Sequence, residues 1–208
     1  SYLGVDGNVD YIPSVGAAAQ AYTCDKYGFF NSITYLDING NPCVTSDGYA
    51  SVKIVSDSKG NELERWTYDE NKQLVITSGG FAGITAEYDS RGYMVKMMHH
   101  GADGELCEMN EGYAGIYYEY NANGDVIKYS CVGTDLEPTT GNDNVCTMVL
   151  DRDLNGNIVK VSFFDVENYS TLSSEGISVM KFKYDDNGNE VSRQFFDQDD
   201  NLTKGNLG

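Results

Sequence analysis

The tightest chemical spacing in the chain is Asp151-Arg152-Asp153-Leu154-Asn155-Gly156-Asn157. Side-chain oxygens at alternate positions, followed by a glycine that turns the backbone, open a calcium loop. Asp151, Asp153 and Asn155 are therefore candidate ligands of a weak surface Ca2+ site, the one cofactor the residues suggest. The Glu that closes such a loop is missing, because Ser162 stands in its place. Other copies of Asp-x-Asn-Gly lack the first acid. The same residues also build hairpin turns, since Asp and Asn bond their own backbone and Gly supplies positive φ. Turn chemistry is the preferred reading of the motif, and a bound cation the sharper one.

His99-His100 is the only histidine pair. Neighbouring strand residues face opposite ways, so the two imidazoles do not readily share one metal and read as substituted aromatic positions. A Cys–His nucleophile would need Cys107 or Cys131 brought against them by the fold. No Ser-His-Asp order, phosphate loop or metalloprotease motif occurs. Trp66 and Tyr117 fall on the outward phase of their strands, where a ring on a rigid sheet is a platform for a sugar or a protein partner. They are the candidate ligand-binding residues, and no catalytic residue is assigned.

The elements that would position these residues follow a repeat. Steps of 32 back from Gly188 land on Gly156, Gly124, Gly92, Gly60 and Gly28, each with Asp or Asn three residues earlier. Six copies without slippage define a repeat protein. The expected units are 24–55, 56–87, 88–119, 120–151, 152–183 and a truncated 184–208, with 1–23 as a partial leading unit. Tyr2-Leu3-Gly4-Val5-Asp6-Gly7-Asn8 echoes Tyr35-Leu36-Asp37-Ile38-Asn39-Gly40-Asn41, and the Ala-rich stretch after Gly16 reads as an atypical terminal strand. A second turn follows twelve residues after the first, as at Asp37-Ile38-Asn39-Gly40, and a third break falls at Gly48, Gly80, Gly112 and Gly176. The 120–151 copy diverges around Pro138 and Gly141 and is expected to hold an irregular loop.

Apolar residues alternate before the first turn, as at Ala82, Ile84, Ala86 and Tyr88, and one apolar position follows it at Leu63, Val95, Ile127, Val159 and Val191. This is the period of half-buried strands, and no stretch has a helical period. If Tyr184 and Val191 share a face, parity demands an even loop between them. A two-residue type I′ turn on Asn187-Gly188 is then expected, with a three-residue loop and Gly bulge as its competitor. The fold class is all-β: an elongated array, solenoid or spiral sheet, of antiparallel hairpins.

Composition agrees, with 16 Tyr and 8 Phe among the apolar residues. The formal net charge of −18 argues against nucleic acid and against an anionic membrane surface as partners. No apolar run reaches membrane-spanning length, so membrane insertion is not expected. The five cysteines form no C-x-x-C pair, and their odd count argues against a disulfide framework. The chain opens inside a repeat-like stretch, which suggests a targeting segment lying outside it.

The unit read as Tyr184-Asp185-x-x-Gly188-Asn189, a strand, then Phe195-Phe196-Asp197 resembles the YD repeats of bacterial Rhs proteins. It is also similar to the hairpin repeats of bacterial cell-wall-binding and toxin receptor-binding regions. The resemblance covers residues 24–208 and implies a hairpin array on secreted or cell-surface bacterial proteins. The 32-residue unit is longer than a typical YD unit, and nothing resembles the autoprotease and toxin region of an Rhs protein. The expected function is a non-catalytic module that binds glycan, cell-wall material or a protein partner. The alternatives are a structural shell or spacer segment of an Rhs-like protein, and a hydrolase with its site in the 120–151 unit.

Overall fold

A computed structural model describes residues 15–204, so the turn echo at 2–8 lies outside the described residues. Thirteen strands run in sequence order through one sheet. They are β1 (Ala19–Cys24), β2 (Phe30–Leu36), β3 (Ser51–Ser56), β4 (Glu62–Tyr68), β5 (Gly83–Tyr88), β6 (Met94–His100) and β7 (Gly115–Tyr120). The remainder are β8 (Val126–Val132), β9 (Thr147–Arg152), β10 (Ile158–Phe164), β11 (Val179–Tyr184), β12 (Glu190–Phe196) and the short β13 (Leu202–Thr203). The protein is thus an all-β hairpin array. The Ala-rich segment leads into β1, which begins at Ala19 with Ala17 and Ala18 before it, and the only helical turn among the described residues is a 3-10 turn at Gly141–Asp143. No helix of the described residues is long and apolar enough to cross a membrane.

The first turn of each unit is not the two-residue loop that parity suggested. Asp185 accepts from Gly188 N–H at 3.0 Å and donates its own N–H to Asn189 O at 2.9 Å. That geometry is a three-residue loop, with Gly188 at φ +81° as the bulge glycine. Parity is restored one step further on. Lys183 faces Ser192 but Tyr184 faces Glu190, so a β-bulge absorbs the extra residue. Identical shifts occur at Thr23/Cys24, Val55/Ser56, Glu119/Tyr120 and between Ile158 and Lys160. The sheet, not the loop, takes up the odd residue.

Between hairpins the chain folds back in a long connection. The second turn repeats the first, with Gly at the left-handed position in two copies but Lys72, Leu136, Asn168 and Asp200 at φ 60–66° in the others. The third turns are linked to one another. Ser46, Ser78, Asn110, Asn142 and Ser174 donate N–H to the carbonyls of Val15, Asp47, Gly79, Glu111 and Asp143, at 2.8–3.3 Å. Donors and acceptors both advance by 32 residues, so each of these five turns is bonded to the turn of the copy before it.

Contacts divide the chain into two compact units. One holds residues up to Gly92 together with Met97–Asn110, and the other holds Tyr93–Lys96 together with residues from Glu111 on. The first buries Ala50, Val52, Ile54, Ala82 and Ala86 with Met98 and His99. The second is centred on Val145, Val161, Phe163 and Ile177, with Met148, Met180 and Phe182 packed against them. Small residues recur at Ala18, Ala50, Ala82, Ala114, Cys146 and Ser178, each at most 3% exposed. Their N–H groups reach the carbonyls that end the following strands, such as Ala82 to His100 at 2.7 Å and Ser178 to Phe196 at 2.8 Å. A larger side chain there would have to displace packed backbone.

Candidate functional site

The acids of the turns are engaged by their own backbone. Asp153 Oδ1 accepts from the N–H groups of Asn155 and Asn157, both at 2.9 Å, and Oδ2 accepts from Asn157 Nδ2 at 3.0 Å. These bonds, the Asn157 amide foremost, hold the Asp153 carboxyl below the ordinary carboxylate value of 3.8. Asp151 stands 3.9 Å from Lys160 Nζ across the hairpin. The same capping recurs at Asp25, Asp37, Asp57, Asp69, Asp165, Asp185 and Asp197. Among the described residues, no group of three or more His, Cys, Asp or Glu is placed to hold a metal ion.

The two histidines point to opposite faces of β6. His99 is buried, with its ring 4.8 Å from that of Phe81. His100 Nδ1 lies 3.1 Å from Gly104 O and Nε2 lies 3.0 Å from Thr85 Oγ1. A carbonyl only accepts, so Nδ1 carries the proton and Nε2 accepts from the Thr85 hydroxyl. All five cysteines are free thiols. Burial, with a smaller contribution from Cys146, pushes the Cys131 thiol up to about 11, the opposite of an activated nucleophile.

Trp66 and Tyr117 are both on the outward face but in different surroundings. The Trp66 ring is half-buried above Gly83, directly opposite on β5, and lies 5.2 Å from the His100 ring. Its Nε1–H donates to Glu64 Oε2 at 2.9 Å. Tyr117 is 37% exposed, with Lys96 Nζ 5.9 Å from its ring centre. It borders a groove of about 330 Å3 with Leu136, Pro138, Val166 and Asn168.

The divergent 120–151 unit borders a second cavity, of about 230 Å3, whose lining includes Glu111, Tyr113, Tyr129, Cys131, Asp143 and Val145. Its irregular loop is the 3-10 turn, closed by Asn144 at φ 62°. Burial, with Cys131 and Glu111 adding to it, pushes the Tyr113 hydroxyl up to about 12. The sequence analysis pointed to the 120–151 unit and to Cys131, but not to Tyr113, Tyr129 or Asp143. The available signal was Tyr129, which stands where the copies two units before and two units after have Arg65 and Arg193.

The repeating tyrosine of the first turn also has a role that periodicity alone did not disclose. Tyr88, Tyr120 and Tyr184 donate their hydroxyls to Glu62 O, Met94 O and Ile158 O, at 3.0, 2.7 and 3.0 Å. Each acceptor lies 26 residues back, in the preceding hairpin. Where the motif has Arg152 instead, Nε reaches Val126 O at 3.2 Å.

No protein-family profile and no curated protein matches the chain. Among solved structures it is similar to the Photorhabdus luminescens Tc holotoxin pore with a mutant TccC3, at 15% identity and TM-score 0.41, over 85% of this chain and 9% of that one. It is also similar to the crystal structure of TcdB2-TccC3, at 12% identity and TM-score 0.42, over 88% and 10% of the two chains. The chain spans about a tenth of the length of these structures.

Proposed function

We propose that the chain is a non-catalytic structural segment, a wall of hairpin repeats of the Rhs type. The observation that carries this reading is the link from one third turn to the next, in which each of the five turns is bonded to the turn of the copy before it. A hydrogen-bonded unit that accepts another of its own kind is suited to extending a surface. The polar side chains that suggested chemistry are engaged in the same architecture: Asp153 caps its turn, His100 is bonded through both nitrogens, and Cys131 is held protonated. The location that goes with this reading is secreted or cell-surface, as the sequence resemblance implies.

A second reading, a module that binds glycan, cell-wall material or a protein partner, is favoured by the exposed Tyr117 beside its groove. The test is co-sedimentation of the whole chain with insoluble bacterial cell walls and polysaccharides, with the supernatant assayed for released sugar. The structural reading expects the protein to stay in solution and no sugar to appear. Saturable retention that drops in Tyr117→Ala would install the binding reading instead. Released sugar would overturn both.

A further inference from the structure

Two cavities occupy the same place in the repeat, 64 residues apart. That in the first unit, of about 290 Å3, is lined by residues including Asp47, Tyr49, Arg65, Gly79 and Phe81. Adding 64 to each number gives Glu111, Tyr113, Tyr129, Asp143 and Val145, all of which line the cavity of about 230 Å3 in the second unit. The sheet register is the same, with Ile54 facing Arg65 and Tyr118 facing Tyr129.

The first cavity brings its own cation. Glu62 holds the Arg65 guanidinium through two bonds of 2.7 and 2.8 Å, and Tyr49 lines the same space. In the second cavity a phenol ring replaces that guanidinium, and Asp143 replaces Gly79. Compared with the first cavity, the second has no base and one more acid. No Lys, Arg or His lines it, and Tyr113, Tyr129, Val145 and Met148 are among the residues that do. Asp143 is fixed in place, since its Oδ1 accepts from both the N–H and the hydroxyl of Ser174. The negative field reaches the interior: after burial, Glu111 is among the groups that raise Tyr113, and Asp143 among those that raise Tyr129.

We propose that the cavity between Tyr113 and Tyr129 binds an organic cation, a guanidinium on a short apolar stem, with Glu111 and Asp143 as counter-charges. Aromatic faces attract a cation that is weakly hydrated, and guanidinium is weakly hydrated, planar and able to stack. The apolar walls take the stem. This inference does not depend on the structural reading above, because a wall segment and a binding module can both carry such a site.

The probe is n-butylguanidinium, titrated calorimetrically into the whole chain, with n-butylurea as the neutral isostere. Half-saturation is expected in the millimolar range for so small a ligand, with butylurea at least about tenfold weaker. Tyr129→Arg installs the cation of the first cavity and should weaken butylguanidinium by about tenfold or more. Asp143→Asn keeps an oxygen for Ser174 and should weaken it about three- to tenfold, which keeps the test open if the arginine variant fails to fold. A capped Gly-Arg-Gly peptide separates the two sources of the group: tighter binding than the probe assigns the site to a protein side chain, weaker binding to a free small molecule. Equal binding of butylurea, no binding by the parent chain, or unchanged binding in a folded Tyr129→Arg variant would overturn the proposal.

Discussion

Gly83→Ala probes the packing of the outward face most directly. A Cβ on Gly83 would sit 2.2, 2.5 and 2.7 Å from Cε3, Cζ3 and Cδ2 of Trp66. Carbon atoms pack at about 3.5–4.0 Å, so the indole must retreat by roughly 1 Å or more or change rotamer. Gly83 is buried and is not among the positive-φ glycines, so the effect is steric and not conformational. Overpacking of this kind costs about 1–3 kcal/mol. Without the indole, alanine in a strand interior would gain about 0.5–1 kcal/mol over glycine. The same substitution in a Trp66→Ala background should therefore be neutral or mildly stabilising, a coupling of roughly 1.5–4 kcal/mol between the sites. Denaturant unfolding followed by circular dichroism measures the stabilities. Trp66 is the single tryptophan, so its emission should shift to the red in Gly83→Ala as the ring is pushed out. A Gly83→Ala chain as stable as the parent, with unchanged emission, would refute the packing argument.

Tyr184→Phe removes the hydroxyl bond to Ile158 O and should cost about 0.5–1.5 kcal/mol in the same unfolding assay, whereas Tyr169→Phe, at 67% exposure, should cost close to nothing. The carboxyls of Asp153 and Asp185 are depressed, first by the side chains of Asn157 and Asn189, so their stabilisation is fully present above the ordinary value of 3.8 and is lost as pH falls through their lower folded values. A thermal midpoint that drops on acidification below about pH 4, with a smaller drop in an Asp153→Asn, Asp185→Asn double variant, is the expected result. Cys24 is exposed and Cys146 buried, so a disulfide reagent should modify Cys24 rapidly in the native chain and Cys146 only after unfolding, as peptide mass mapping would show.

The 32-residue period, the turn positions and the alternation of the strands were legible in the sequence because each is a local property. Asp185 bonds to the backbone two and four residues ahead, and Gly188 takes a positive φ in that same turn, so neither requires a distant partner. Alternation likewise placed His99 and His100 on opposite faces. The loop size was not legible, because parity counts loop and bulge together. Only the pairing of Tyr184 with Glu190 shows that the extra residue is taken up in β12. The buried small residues from Ala18 to Ser178 look featureless in sequence; their size matters because each buried position lies where the chain enters the next strand and donates to a strand end. Trp66 was read as an outward ring, and its half-burial depends on Gly83 lying opposite, a contact between different hairpins. The cavity of Tyr113 and Tyr129 arises in the same way, from substitutions at equivalent positions of neighbouring units whose side chains meet only in the folded array. The sequence by itself determined the repeat, its turns and the two faces of its strands. The tertiary structure decided which faces are filled, where the bulges fall and where a charged hollow remains, because packing depends on residues that local backbone rules do not connect.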